Sequence, residues 1–95
     1  MTEKPVVMQT SPIVAPMDHI YERYTVLRLD QAADRDGFLA ANGPGVTAAI
    51  GNKITAETMS ALPDLALYAN FGVGYDGVDI GAAKANGVRV TNTPD

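Results

Sequence analysis

The 95-residue sequence contains no cysteine and only one histidine. The absence of cysteine excludes a disulfide framework, a thiolate nucleophile and a cysteine-ligated metal site. No apolar run approaches the ~18 residues that a membrane-spanning helix needs, and the first eight residues lack the apolar segment of a secretory signal. The histidine, His19, lies inside a predicted helix beside apolar positions, so we expect it to have a packing or surface role.

Basic residues are scarce. Seven lysines and arginines stand against eleven acidic residues, which gives a formal net charge of −4, and no basic cluster is present. Nucleic acids and anionic membranes are therefore poor partners. Apolar residues make up 46% of the chain and charged residues 19%, a composition typical of a globular protein. We expect one cytoplasmic domain that covers residues 1–95.

Strand-forming and helix-forming segments alternate along the chain. Apolar runs predict strands at 6–8, 25–29, 46–50, 65–71 and 88–91. Helical patterns lie between them at 17–24, 31–41, 56–62 and 80–85, and Thr55 and Asp79 are placed to cap the last two. Apolar strands separated by helices predict an α/β fold, a doubly wound parallel five-stranded sheet with helices on both faces.

Ligands of such sheets bind beyond the carboxyl ends of the strands, so the loops at 10–16, 51–53, 72–76 and 92–95 should open on one edge. The loop at 72–76, together with Gly77, reads Gly-Val-Gly-Tyr-Asp-Gly and matches the pattern G-x-G-x-x-G. This motif is a dinucleotide fingerprint, a plain turn or a loop for a smaller anion. A dinucleotide is disfavoured because the helix cap, Asp79, lies beyond the last glycine and the helix is short. Glycines let successive N–H groups point outward and hold a carboxylate.

Residues 70–95 resemble the D-isomer-specific 2-hydroxyacid dehydrogenase family, in particular its glyoxylate/hydroxypyruvate and hydroxyphenylpyruvate reductases. The shared elements are G-V-G-x-D-x-V-D, followed by A-x-x-x-G-V-x-V-T-N-T-P-D. The resemblance implies a flavodoxin-like substrate-binding domain. The complete enzyme would be an oxidoreductase, expected to be a homodimer, that transfers a hydride between NADH or NADPH and a small 2-oxo or 2-hydroxy acid.

The resemblance also implies roles for particular residues. The substrate carboxylate would be bound by the backbone N–H groups of Val73 and Gly74, beside Gly72. Gly51 and Asn52 would face the substrate from the preceding loop. Four further residues match positions with structural roles in turns, a helix cap and the crossing to a second domain: Asp76, Asp79, Asn92 and Pro94.

The family's catalytic arginine, glutamate and histidine, and its cofactor fingerprint, belong to a Rossmann nucleotide-binding domain and the segment after it. We expect that domain to follow Asp95. No catalytic, cofactor-binding or metal-binding residue is therefore assigned within the 95 residues, and we expect this chain alone to have no reductase activity.

Two non-catalytic alternatives share the same order of elements. A receiver-type signalling domain needs acidic residues after the first strand, where Gln9 and Thr10 stand, and a lysine after the fifth, where Asn92 stands. A flavin carrier needs a glycine-rich phosphate loop after the first strand, but Ser11 is followed there by Pro12. Both remain alternatives, together with a dinucleotide site at residues 72–77.

Overall fold

The computed structural model describes residues 5–11, 18–71 and 77–93. Its five strands are β1 (Val6–Gln9), β2 (Thr25–Arg28), β3 (Ala48–Gly51), β4 (Leu67–Phe71) and β5 (Arg89–Thr93). The helices are α1 (Asp18–Arg23), α2 (Arg35–Asn42), α3 (Ala56–Ser60) and α4 (Ile80–Ala85), with a 3₁₀ turn at Leu29–Gln31. All neighbouring strands pair in parallel, in the order β2-β1-β3-β4-β5. This arrangement confirms the predicted doubly wound parallel sheet.

The main core lies on one face of the sheet. The strands contribute one row of side chains that pair in register across the sheet, and each of α2, α3 and α4 contributes a buried residue that packs in the same cluster. The strand residues are Leu27, Met8, Ala49, Tyr68 and Val90, and the helix residues are Leu39, Met59 and Ala83. Because α1 connects β1 to β2 and so runs across the sheet in the opposite direction, right-handed crossovers place it on the other face. That face buries Val7 and Ile50.

Three strands begin later than the sequence predicts. The apolar runs start at Val46, Leu65 and Val88, but the paired segments start after each of them. These residues are only 2%, 5% and 7% exposed, so they belong to the core without belonging to the sheet. Apolar character reports burial, whereas a strand is defined by its ladder of hydrogen bonds.

The predicted start of the second helix is wrong. Residues 29–31 form a 3₁₀ turn, and α2 begins at Arg35 after its N-cap, Asp34. The carboxylate of Asp34 accepts a hydrogen bond from the Gly37 N–H at 3.1 Å. An N-cap side chain satisfies one of the free N–H groups of the first turn, which fixes where the helix starts.

The last two helices agree with their predicted caps. Thr55 Oγ1 accepts from the Thr58 N–H at 3.2 Å, and Asp79 Oδ1 accepts from the Ala82 N–H at 2.9 Å. α4 ends before Gly87, whose φ of 69° suits glycine. Within the described part of the chain, no helix has the length and apolar character required to cross a membrane.

Candidate functional site

The carboxyl ends of β1 and β3 bring two short polar segments together. Thr10 and Ser11 follow β1, and Asn52 and Lys53 follow β3. The two strands are neighbours in the sheet, and the Thr10 N–H donates to the Ile50 carbonyl at 2.9 Å. The described parts of the predicted loops at 10–16 and 51–53 therefore lie at one edge.

Two buried hydroxyl groups hold the backbone of Lys53. Its N–H donates to Tyr68 Oη at 3.1 Å, and Thr10 Oγ1 donates to its carbonyl at 2.6 Å. Tyr68 Oη and Thr10 Oγ1 lie 3.0 Å apart and share a hydrogen bond, so the three residues form a closed ring of donors and acceptors. Burial raises the pKa of the Tyr68 hydroxyl above its usual value, which keeps its proton available to this ring at neutral pH.

A third hydroxyl group, that of Ser11, fixes Asn52. The Asn52 N–H donates to Ser11 Oγ at 2.9 Å, and Ser11 Oγ donates to Asn52 Oδ1 at 2.8 Å. Ser11 is buried and Asn52 is exposed. The position of Ser11 is fixed in turn, because the buried Gln9 side chain donates from Nε2 to the Ser11 carbonyl at 3.0 Å. The exposed amide of Asn52 is thus held by the buried Ser11 hydroxyl, and Ser11 is held by Gln9.

Gly51 is buried between these hydroxyl groups. Its φ is 149°, and a Cβ there would lie 2.6 Å from Thr10 Oγ1 and 2.8 Å from both Ser11 Oγ and Tyr68 Oη. Both the conformation and the crowding require glycine. Of the two residues predicted to face substrate from this loop, Gly51 forms its buried base and Asn52 its exposed surface.

The end of the glycine-rich loop packs against the same segment. The Ile54 N–H donates to the Gly77 carbonyl at 2.8 Å, and Ile54 and Val78 form a parallel bridge. A Cβ on Gly77 would overlap the backbone carbonyl of Asn52. The loop that starts after β4 therefore returns to the protein beside Asn52.

Several predicted site residues are outside the described residues. They are Gly72, Val73, Gly74 and Asp76 in the glycine-rich loop, and Pro94 after β5. Asn92 lies in β5, where its Cα is in register with that of the buried Asn70 in β4. Asp79 is the N-cap of α4.

This cap bears on the dinucleotide alternative. A pyrophosphate at the start of α4 would meet the Asp79 carboxylate, which already accepts from the Ala82 N–H. α4 has only six residues, so its dipole offers little compensation. The start of α4 is therefore poorly suited to a dinucleotide pyrophosphate. Over the same ranges, no cluster of histidine, cysteine, aspartate and glutamate forms that could hold a metal ion.

A groove of about 850 Å³ runs between α2 and α3 and reaches Thr10 and Lys53. Its lining carries both charge signs, with Arg35 and Lys53 opposed by Asp36 and Glu57. This mixture gives no clear preference for an anion. The candidate site is therefore assigned to the loop at 51–53 and its hydroxyl supports.

The supporting residues Thr10, Ser11 and Tyr68 are not predicted as site residues from the sequence. Thr10 and Ser11 do carry a signal, because two hydroxyl residues directly follow a strand at the ligand edge. Tyr68 carries none, because it occupies an ordinary place in an apolar strand. Its partners Thr10 and Lys53 are distant in sequence.

Residues 11–95 match the family model described as "D-isomer specific 2-hydroxyacid dehydrogenase, catalytic domain". The chain is 33% identical over 81 residues to glyoxylate/hydroxypyruvate reductase A HPR2 of Arabidopsis thaliana. The aligned segment covers 82% of the chain and 26% of that protein.

Solved structures give the same result. The chain is 36% identical to a 2-hydroxyacid dehydrogenase of Ketogulonicigenium vulgare, with a TM-score of 0.88 over 99% of the chain and 31% of that protein. An NADPH-dependent glyoxylate/hydroxypyruvate reductase of Sinorhizobium meliloti, solved with NADP and malonate, is 35% identical, with a TM-score of 0.77 over 98% of the chain and 29% of that protein. The chain thus spans less than a third of each of these relatives. It belongs to the D-isomer-specific 2-hydroxyacid dehydrogenase family, in the part that the family model describes as the catalytic domain.

Proposed function

We propose that this chain is the substrate-binding part of an oxidoreductase that interconverts a small 2-oxo acid and its 2-hydroxy acid with NADH or NADPH. The family match over residues 11–95 supports this proposal, as does the likeness to reductases named for glyoxylate and hydroxypyruvate. The nicotinamide cofactor supplies the hydride. It would bind to a separate nucleotide-binding domain in the complete enzyme, since this chain spans less than a third of its relatives and the start of α4 is poorly suited to a pyrophosphate.

The substrate carboxylate binds to the backbone N–H groups of Val73 and Gly74, beside Gly72. The resemblance to the family implies this assignment, and one observation supports it. The Gly77 end of the glycine-rich loop packs on the Asn52 backbone and bonds to Ile54, at the carboxyl edge of the sheet. The backbone N–H donors of residues 73 and 74 and the amide of Asn52 would thereby bind the substrate carboxylate at one site.

The domain binds and orients the substrate, while the acid–base chemistry takes place on groups outside it. At this edge, the described residues offer hydrogen-bond donors but no paired acid and base. The Tyr68 hydroxyl is buried, is engaged with Thr10 and Lys53, and has a raised pKa. A group held in this way supports the loop and does not exchange a proton with the substrate.

The test removes a single backbone donor from the complete enzyme. Gly74→Pro deletes the N–H, and Gly74→Ala is the matched control that keeps it. A hydrogen bond to a charged group contributes about 1.5–3 kcal/mol, so kcat/KM for the 2-oxo acid should fall roughly ten- to a hundredfold or more in the proline variant. The alanine variant should lose less.

Affinity for the nicotinamide cofactor, measured by its fluorescence, should stay within a few fold in both variants. A collapse of cofactor affinity with an unchanged KM for the 2-oxo acid would contradict the proposal, because the loop would then hold a pyrophosphate.

A further inference from the structure

The pairing of Ser11 with Asn52 has a direction. A backbone N–H can only donate, so Ser11 Oγ accepts the bond from the Asn52 N–H at 2.9 Å. The hydroxyl proton of Ser11 then needs an acceptor of its own, because buried hydroxyl groups are hydrogen-bonded. Asn52 Oδ1, 2.8 Å away, is that acceptor.

This pairing engages the oxygen of the Asn52 side-chain amide but not its nitrogen, Nδ2. Within the described ranges, Asn52 Nδ2 makes no hydrogen bond. Asn52 is exposed, and its backbone carbonyl lies against Gly77. The loop therefore presents two amide N–H donors at the carboxyl edge, where an anion can accept them.

The loop backbone does not depend on Ser11 alone. Tyr68 and Thr10 hold the backbone of Lys53, the next residue along the chain. The Ile54 N–H is bonded separately to the Gly77 carbonyl. Removal of the Ser11 hydroxyl should therefore release the Asn52 amide while the rest of the loop stays in place.

We propose that Ser11 is a positioning residue that fixes the amide of Asn52, so that Nδ2 donates to the carboxylate of the 2-oxo acid. This inference rests on the proposed function and adds a side-chain donor to it. Without Ser11 the amide would be free to turn, and its oxygen would then face the substrate carboxylate for part of the time.

The sharpest test is Asn52→Asp in the complete enzyme. Aspartate has nearly the same shape as asparagine and keeps an oxygen for the Ser11 hydroxyl, but it replaces the donor with a negatively charged oxygen. Loss of a bond to a charged group predicts an increase in KM for glyoxylate of roughly tenfold to a hundredfold, and repulsion adds to it. The dissociation constant of the nicotinamide cofactor should not change.

Ser11→Ala and Ser11→Thr test the positioning role. The alanine variant should raise KM for glyoxylate several fold, and threonine, which keeps the hydroxyl, should restore much of the loss. In an Asn52→Ala background, Ser11→Ala should have little further effect on KM, because the amide that it orients is gone. A merely structural role would instead give the same effect in both backgrounds.

The outcomes distinguish a failure of the proposed function from a failure of the Ser11–Asn52 inference alone. If the wild-type enzyme reduces no 2-oxo acid, the proposed function fails, and this inference fails with it. If the wild-type enzyme is active and Asn52→Asp leaves KM within twofold, the inference alone is overturned. Ser11→Ala with an equal effect in the two backgrounds also overturns it. Asn52→Asp retains the Ser11 bond, so it tests the Nδ2 donor, and thereby the inference, even if Ser11→Ala does not fold.

Discussion

Tyr68 Oη is the centre of the support beneath the candidate site, and Tyr68→Phe removes this one atom. The phenol ring of Tyr68 is fully buried, so phenylalanine keeps the aromatic packing and creates almost no cavity. Thr10 Oγ1 still donates to the Lys53 carbonyl at 2.6 Å. The Lys53 N–H, 3.1 Å from Oη, loses its acceptor. The expected loss is that of one partly buried N–H left without a partner, toward the lower end of about 1–3 kcal/mol of unfolding free energy.

Urea unfolding of the 95-residue chain, followed by circular dichroism, measures this loss. Tyr24→Phe is the matched control, because Tyr24 is 37% exposed and makes no hydrogen bond within the described ranges. Its unfolding free energy should change by about 0.5 kcal/mol or less. Hydrogen exchange at the Lys53 amide should become faster in Tyr68→Phe. A loss under about 0.5 kcal/mol, or an equal loss in Tyr24→Phe, would refute the role given to the hydroxyl ring.

Three further predictions concern pH and the helix cap. Burial raises the pKa of Tyr68 in the folded chain, so above about pH 10 the unfolded chain loses this proton before the folded chain does. Stability should therefore fall as pH rises. Tyr68→Phe should reduce that fall, measured as urea midpoints from about pH 9 to 11. The hydrogen bond from Arg28 lowers the pKa of Asp30, so its stabilisation is present at neutral pH and is lost as pH falls below about 4. Asp30→Asn should cost about 1 kcal/mol or less at pH 7, because Arg28 is partly exposed, and should reduce acid sensitivity; an unchanged acid midpoint would contradict this. Asp79→Ala should cost about 1 kcal/mol in urea unfolding, whereas Asp79→Asn, an equally good cap, should be nearly neutral; equal losses would show that the cap is not the cause.

The sequence predicts the fold well where local chemistry decides it. α4 begins after Asp79 and ends before Asn86, because a capping carboxylate and a helix-ending Asn-Gly pair are both local signals. The start of α2 is missed because Asp34 is one of several acidic residues there, and its capping bond to Gly37 depends on the folded turn. Strand starts are missed where a core residue such as Val46 lies outside the sheet.

The candidate site is predicted only in part. The glycine-rich loop follows from its own motif and Asn52 from a resemblance in sequence, but the contacts that hold Asn52 in place come from the fold. Thr10 and Tyr68 meet only because β1, β3 and β4 lie side by side. The requirement for glycine at position 51 likewise follows from three hydroxyl groups that approach it in space. Contacts between residues so distant in sequence leave no periodic pattern to detect.

The central claim is that this edge of the sheet binds the carboxylate of a 2-oxo acid. A crystal structure of the complete enzyme with oxamate, an unreactive analogue of a 2-oxo acid, and the nicotinamide cofactor tests it most directly. We expect the oxamate carboxylate to lie within hydrogen-bond distance, about 2.7–3.2 Å, of the backbone nitrogens of Val73 and Gly74 and of Asn52 Nδ2. A cofactor pyrophosphate on residues 72–77, or oxamate bound at another surface, would contradict it.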